Sequence, residues 1–142
     1  MLCLYKDKFP KLKHNMEIKQ SYYLNGQIEF EKTYRNKIVY GTWRFWLRDG
    51  RPDKLMHFDK NGKKTGVWKT WYNDPEIKGV QLHTEYTFEN DLHNGLAREF
   101  YDNGKIKFEG RLKDGEYIGV CKHWNLKGEI ISEIDYPEIK KW

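Results

Sequence analysis

Gly95-Leu96-Ala97-Arg98-Glu99-Phe100-Tyr101-Asp102-Asn103-Gly104-Lys105-Ile106-Lys107-Phe108-Glu109-Gly110-Arg111-Leu112-Lys113-Asp114-Gly115-Glu116-Tyr117-Ile118-Gly119 is the stretch on which the fold turns. Two extended runs flank Asn103-Gly104, the dipeptide that most readily supplies the two positive-φ residues of a type I′ hairpin turn. In the second run Ile106, Phe108 and Leu112 fall on one side of a period-2 strand, while Lys105, Lys107, Glu109, Arg111 and Lys113 fall on the other. The stretch reads as a β-hairpin with one apolar and one wet face.

The unit recurs along the chain, and recurrence at this period marks an array of stacked units. Opening glycines stand at Gly41, Gly66, Gly95 and Gly119, at spacings of 25, 29 and 24. Nine residues after each comes a turn position, held by Gly50, Pro75, Gly104 and Gly128. Counting back from Asn25-Gly26 places a missing first glycine at Glu17. Five copies result, at residues 17–40, 41–65, 66–94, 95–118 and 119–136, with 1–16 as an N-terminal cap and 137–142 as a C-terminal tail. The fold expected is all-β: an elongated, twisted antiparallel sheet of five stacked hairpins. The third copy departs most, since Asn73-Asp74-Pro75-Glu76-Ile77-Lys78-Gly79 implies a protruding loop with four extra residues if Gly79 closes the hairpin. It is the first place to look for partner contact. Pro52 is expected at the first residue of a strand or at a bulge, where no ladder donor is needed.

Aromatic residues keep the same register. Five places after each opening position stand Tyr22, Trp46, Trp71, Phe100 and Trp124, and one further Tyr23, Leu47, Tyr72, Tyr101 and Asn125. Two after the glycine come Trp43, Trp68, Ala97 and Cys121; before the next glycine come Tyr34, Phe58, Phe88 and Leu112. Stacked hairpins bring such columns about 4.8 Å per strand apart, close enough for cross-strand ring contact. Sheet packing accounts for the column of Trp43 and Trp68. One sheet without a second layer cannot also bury all of Trp46, Trp71, Phe100 and Trp124 on the opposite face: either the sheet twists enough to cover them or they form an exposed apolar strip, which would mark a protein-binding surface.

Composition agrees. Apolar residues make up only 38% of the 142, yet aromatics reach 16%, as a thin sheet covered by large flat rings requires. A single alanine, Ala97, argues against a helical array. The net charge of +5 arises from 26 basic and 21 acidic residues that alternate along the strands. Outside Lys6 to Lys13 and Lys140-Lys141 no basic block stands out, which argues against nucleic acid as a partner.

No catalytic, metal or cofactor constellation emerges. His14, His57, His83, His93 and His123 are scattered without metal-ligand spacing. Glu29 with Glu31, and Glu129 with Glu133, share strand faces as solvated carboxylates, and Ser21 and Ser132 lack a base at a recognisable spacing. Cys121 falls in the ring column and reads as a buried free thiol, far from Cys3. The first residues show no long apolar run or small-residue cleavage site, and a cytoplasmic location is the expectation.

Gly66-Val67-Trp68-Lys69-Thr70-Trp71-Tyr72 and Gly95-Leu96-Ala97-Arg98-Glu99-Phe100-Tyr101-Asp102-Asn103-Gly104-Lys105 resemble the bacterial variant of the MORN (membrane occupation and recognition nexus) repeat, Gly-x-Trp-x-x-Tyr/Trp-Tyr-x-x-Gly-Lys. The resemblance covers about residues 17 to 136, with departures at Pro75, at Ala97 and Cys121 in the Trp column, and at Glu17. It implies a non-enzymatic binding or scaffolding module, and membership of the YwqK-like antitoxins implies a bacterial antitoxin or immunity-type protein that neutralises a cognate toxin or effector by binding. Trp46, Trp71, Tyr72, Phe100, Tyr101 and Trp124 are the expected contact residues. Gly26, Gly41, Gly50, Gly66, Gly95, Gly104, Gly119 and Gly128 are the structural turn and repeat glycines. The alternative is a peripheral protein or scaffold in weak contact with anionic lipid, through the basic lead-in and interfacial tryptophans.

Overall fold

Alternating apolar and polar residues between glycine-bearing turns give one antiparallel sheet. The computed structural model describes residues 15–138, which contain eleven strands and no helix. They are β1 (Met16–Tyr22), β2 (Ile28–Arg35), β3 (Ile38–Val39), β4 (Gly41–Trp46), β5 (Pro52–Phe58), β6 (Gly66–Trp71), β7 (Leu82–Glu89), β8 (Leu92–Phe100), β9 (Ile106–Lys113), β10 (Glu116–Trp124) and β11 (Ile130–Tyr136). Spatial order follows chain order, with β3 a short prelude to β4 that also pairs with β2. The all-β array of hairpins expected from the sequence is therefore present. Most of the expected N-terminal cap, and Cys3, lie outside the described residues, as do residues 139–142 of the tail. Pro52 opens β5 opposite Trp46, where the register also slips.

The turn chemistry differs from expectation. Tyr101 N–H donates to the Lys105 carbonyl at 2.8 Å and Gly104 N–H to the Tyr101 carbonyl at 3.0 Å, enclosing three residues. Gly104 has φ 86°, whereas Asn103 is not left-handed. This is a type I turn followed by a left-handed glycine bulge, and the expected type I′ turn is corrected. The asparagine serves through its side chain instead, Oδ1 accepting the Lys105 N–H at 3.0 Å. Matching hydrogen bonds close the turns at Gly26, Gly50 and Gly128. Type I′ turns lie at the other end of the strands, at Asn36-Lys37 (φ 50° and 65°), Asn90-Asp91 (50° and 68°) and Asp114-Gly115 (49° and 85°).

The uneven spacing of the glycines has a simple origin. The β5–β6 connection is also a three-residue turn, with Asp59 N–H donating to Lys63 and Gly62 N–H to Asp59, one residue more than a type I′ turn holds. In the third hairpin Tyr72 N–H donates to the Gln81 carbonyl, where Tyr101 pairs with Lys105, so that loop is five residues longer. The expected four is corrected: Gly79 lies inside the loop and Gln81 closes it.

Each join between hairpins carries two extra residues on its second strand. Glu89 faces Leu92 and Phe88 faces His93, but Tyr86 faces Ala97. The second extra residue is the opening glycine, left-handed at Gly41 (φ 65°) and Gly66 (φ 68°), a conformation that costs an L side chain about 1 kcal/mol or more. These glycines stand opposite the large residues of the neighbouring arm: Gly41 opposite Phe58, Gly66 opposite Phe88, Gly95 opposite Leu112, Gly119 opposite Tyr136. Glu17 occupies the same place opposite Tyr34.

The two faces differ in kind. On one, cross-strand neighbours run Gln20, Glu31, Arg44, Leu55, Lys69, Glu85, Arg98, Glu109, Lys122, Glu133, a row of largely alternating sign. Arg98 Nε lies 3.0 Å from Glu109 and Arg44 Nη1 3.5 Å from Glu31. Exposed pairs of this kind contribute about 0.2–1 kcal/mol each. The other face carries the rings and, towards the C-terminus, the core: Ala97, Phe108, Leu112 and Cys121 are buried, with Tyr86 and Tyr136 against them. Cys121 is a free thiol.

Candidate functional site

The ring face is the candidate. Tyr34 lies 5.3 Å from Trp43, Trp43 5.0 Å from Phe58, Phe58 5.4 Å from Trp68, and Trp68 4.9 Å from Phe88, centroid to centroid. One unbroken ladder thus crosses β2 to β7. Interplanar angles of 47° to 69° make these tilted or edge-on contacts, worth about 0.5–1.5 kcal/mol each beyond area. The tryptophans are pinned to the backbone, Trp43 Nε1–H donating to the Thr33 carbonyl at 2.8 Å and Trp68 Nε1–H to the His57 carbonyl at 3.0 Å. Every ring of the ladder is half-buried, because no second layer covers the sheet among the described residues.

Lysines stand among the rings. The Lys32 ammonium is 4.2 Å from the Phe30 centroid, 5.1 Å from Trp43 and 5.4 Å from Phe45. Lys64 lies 4.9 Å from Trp68 and 5.2 Å from Phe88, and Lys19 4.8 Å from Tyr34. Sequence alternation hides this arrangement only in part. Lys32 shares its parity with Phe30 and Tyr34, and a cation in an apolar register was the available signal.

The residues singled out from sequence form a second row at the turn end of the hairpins. Trp46 faces Pro52, Trp71 faces Leu82, Phe100 faces Ile106 and Trp124 faces Ile130, each where the register slips before the turn. All four are half-buried rather than exposed. Tyr72 and Tyr101 are used within the fold: their hydroxyls donate at 2.8 Å to the carbonyls of Phe100 and Trp124 in the next hairpin, as Tyr23 does to Trp46. Burial, then the Asp102 and Glu99 carboxylates, push the Tyr72 hydroxyl up from its ordinary value. A shallow pocket of about 220 Å³, lined by Arg44, Phe45, Trp46, Pro52, Lys54, Leu55 and Trp71, brings this row together with Phe45 and Lys54 of the ring face and Arg44 and Leu55 of the charged face. The expected loop protrudes as Asn73 to Val80, braced by Arg51 Nη1 donating to the Asp74 carbonyl at 3.4 Å.

The titratable groups are engaged in packing. Tyr86 donates a short hydrogen bond to Glu99, and burial followed by that carboxylate drives its hydroxyl strongly upward. Burial, then Arg44 and Lys69, hold His57 below its usual value, its Nδ1 lying 3.0 Å from Thr42 Oγ1. Burial, then Lys64, does the same to His93. Sequence spacing missed that Ser132 is the cross-strand neighbour of His123, yet His123 Nδ1 is buried without a hydrogen-bond partner, so the two form no nucleophile and base pair. Glu29 accepts from Ser21 Oγ, Glu31 from Gln20 and Arg44, and Glu129 from Asn125. Among the described residues no three His, Cys, Asp or Glu side chains converge as metal ligands, and no helix is long and apolar enough to cross a membrane.

Residues 18–36 and 94–114 match the family model of the MORN repeat variant. Both segments cover the same unit, two arms and the three-residue turn between them, and both end on the first residue of a type I′ turn, Asn36 or Asp114. The match supports reading the chain as a MORN-repeat protein, and the shared register extends the unit to the hairpins between and beyond. No curated protein matches the chain.

Proposed function

We propose that this protein is a binding module without catalytic activity, an antitoxin or immunity-type protein that neutralises a cognate protein by seating it on the ring face. The observation that carries the reading is the ladder from Tyr34 to Phe88, which no other described residues cover as a second layer: rings locked in place by indole hydrogen bonds on a single-layer sheet offer a rigid apolar surface at little entropic cost. Trp46 and Trp71 share a pocket at its edge with Phe45 and Lys54 of the ring face and with Arg44 and Leu55 of the charged face. The MORN repeat variant match supports a binding or scaffolding role. Co-expression with the product of the adjacent reading frame tests it. Co-purification and relief of that product's toxicity are expected for the wild type, and loss of both for Phe45→Ala with Trp71→Ala. A wild type that neither retains the product nor relieves its toxicity overturns the reading.

A second reading, attachment to anionic lipid, draws on the lysines held over rings. Flotation with phosphatidylserine vesicles tests it, and retention indifferent to lipid charge and salt rejects it.

A further inference from the structure

We infer that the partner presents an acidic segment, and that Lys32, Lys54 and Lys64 on the ring face are the groups that recognise it. The inference rests on the protein-binding reading above and names the chemistry of the partner. It starts from an asymmetry between the two faces. On the far face, cations and carboxylates alternate across the strands, and two pairs form between them, Arg98 with Glu109 and Arg44 with Glu31. On the ring face Glu17 lies 3.9 Å from Lys19 and the Asp91 carboxylate accepts the Lys64 main-chain N–H at 2.8 Å, but no carboxylate of the described residues lies within ion-pair distance of the ammonium groups of Lys32, Lys54 or Lys64.

Position strengthens the point. Lys32 and Lys64 are half-buried, and each is held against two or more rings. Lys54 is exposed beside them, the cross-strand neighbour of Phe45 and Thr70, at the mouth of the pocket that contains Trp46 and Trp71. Ring quadrupoles stabilise a cation without neutralising it, so the face keeps a net positive charge over an apolar floor. A segment mixing Glu or Asp with large apolar residues complements both features at once.

The same geometry disfavours a nucleic-acid strand. Base stacking needs free ring faces, and these rings meet one another at 47° to 69° with lysine ammonium groups over several of them.

The test uses the full chain and fluorescence titration with four probes: a short peptide alternating Glu and Leu, the same peptide with Lys for Glu, oligo(dT), and phosphatidylserine vesicles. The acidic peptide is expected to bind, with affinity falling as salt is added. Lys32→Gln with Lys64→Gln is expected to weaken it about tenfold or more, and Lys54→Gln, whose ammonium lies over no ring, several-fold. Far-ultraviolet circular dichroism identifies any variant that fails to fold, and Lys54→Gln, being exposed, keeps the test decisive in that event. No binding of the acidic peptide, binding unchanged in all the lysine variants, or equal or tighter retention of oligo(dT) or vesicles overturns the inference. The reading beneath it fails separately. If wild type and lysine variants retain the adjacent gene product equally, only the acidic segment is wrong; if the wild type does not retain it, the binding module is.

Discussion

The indole N–H of Trp43 donates to the main-chain carbonyl of Thr33 at 2.8 Å, tying the first arm of the second hairpin to the last arm of the first. Thr33 also accepts the Tyr40 N–H at 3.0 Å, so its oxygen keeps a partner if the indole is removed. Trp43→Phe should therefore cost only about 0.5–1.5 kcal/mol in urea unfolding. Trp43→Ala should cost more, since Tyr34 and Phe58 lose the ring between them. Equal effects would mean that the indole bond, and not the ring, carries the junction.

Gly110 is required by contact and not by backbone conformation. A Cβ there would sit 2.6 Å from Cys121 Sγ and 2.8 Å from Phe108 Cζ, closer than real Cβ atoms approach. Gly110→Ala should lower stability by about 1–3 kcal/mol, the usual cost of overpacking. Adding Cys121→Ala should recover part of that loss by removing the sulfur. A neutral Gly110→Ala would show that Phe108 swings aside freely.

The tyrosines that bridge turns are separable from their rings. Tyr101→Phe removes one hydrogen bond to Trp124 and leaves the ring, so thermal unfolding should show a loss of about 0.5–1.5 kcal/mol. Tyr72→Phe should behave alike through Phe100. Binding by the tyrosine hydroxyls themselves would instead reduce partner affinity without lowering Tm.

Acid should weaken the fold through His93. Burial, helped by Lys64, holds its folded-state pKa below the ordinary 6.5. As pH falls through about 6.5 the unfolded chain takes up the proton first. Stability from this group is thus complete above 6.5 and is lost as pH drops through the lower, folded value. Denaturant midpoints measured between neutral and mildly acidic pH should fall, and His93→Gln should flatten the trend.

Much of the architecture could be read from residue spacing because glycine and rings answer separate physical demands in each copy. The glycines sit where a left-handed bulge is needed, and large apolar residues, three of the four aromatic, sit across from them, so two columns report one register. Turn type was less legible. Asn103-Gly104 has the residues of a type I′ turn, but loop length decides the type, and the true type I′ turn at Asn36-Lys37 contains no glycine to betray it. The length of the loop after Tyr72 is masked in the sequence because Gly79 resembles a closing glycine, whereas Gln81 makes the closing hydrogen bond. Ala97 and Cys121 were visible as departures from the Trp column. That they let Phe108 fold inward and build the core depends on Gly110, which no periodicity distinguishes. Of the lysines over rings only the parity of Lys32 was legible, because alternation reports a side of the strand and says nothing of what a long side chain bends back to touch.

Among the described residues, buried ones are confined to β8, β9 and β10, whereas β1 and β11 pair on one side only. Neighbour-only contact lets such an array loosen strand by strand from its margins. Amide protons around Cys121 should consequently be the last to exchange with solvent, and those of β1 among the first. The rigid end and the pliant end of the molecule are then different ends, with the lysine-bearing rings, pinned to the main chain, between them.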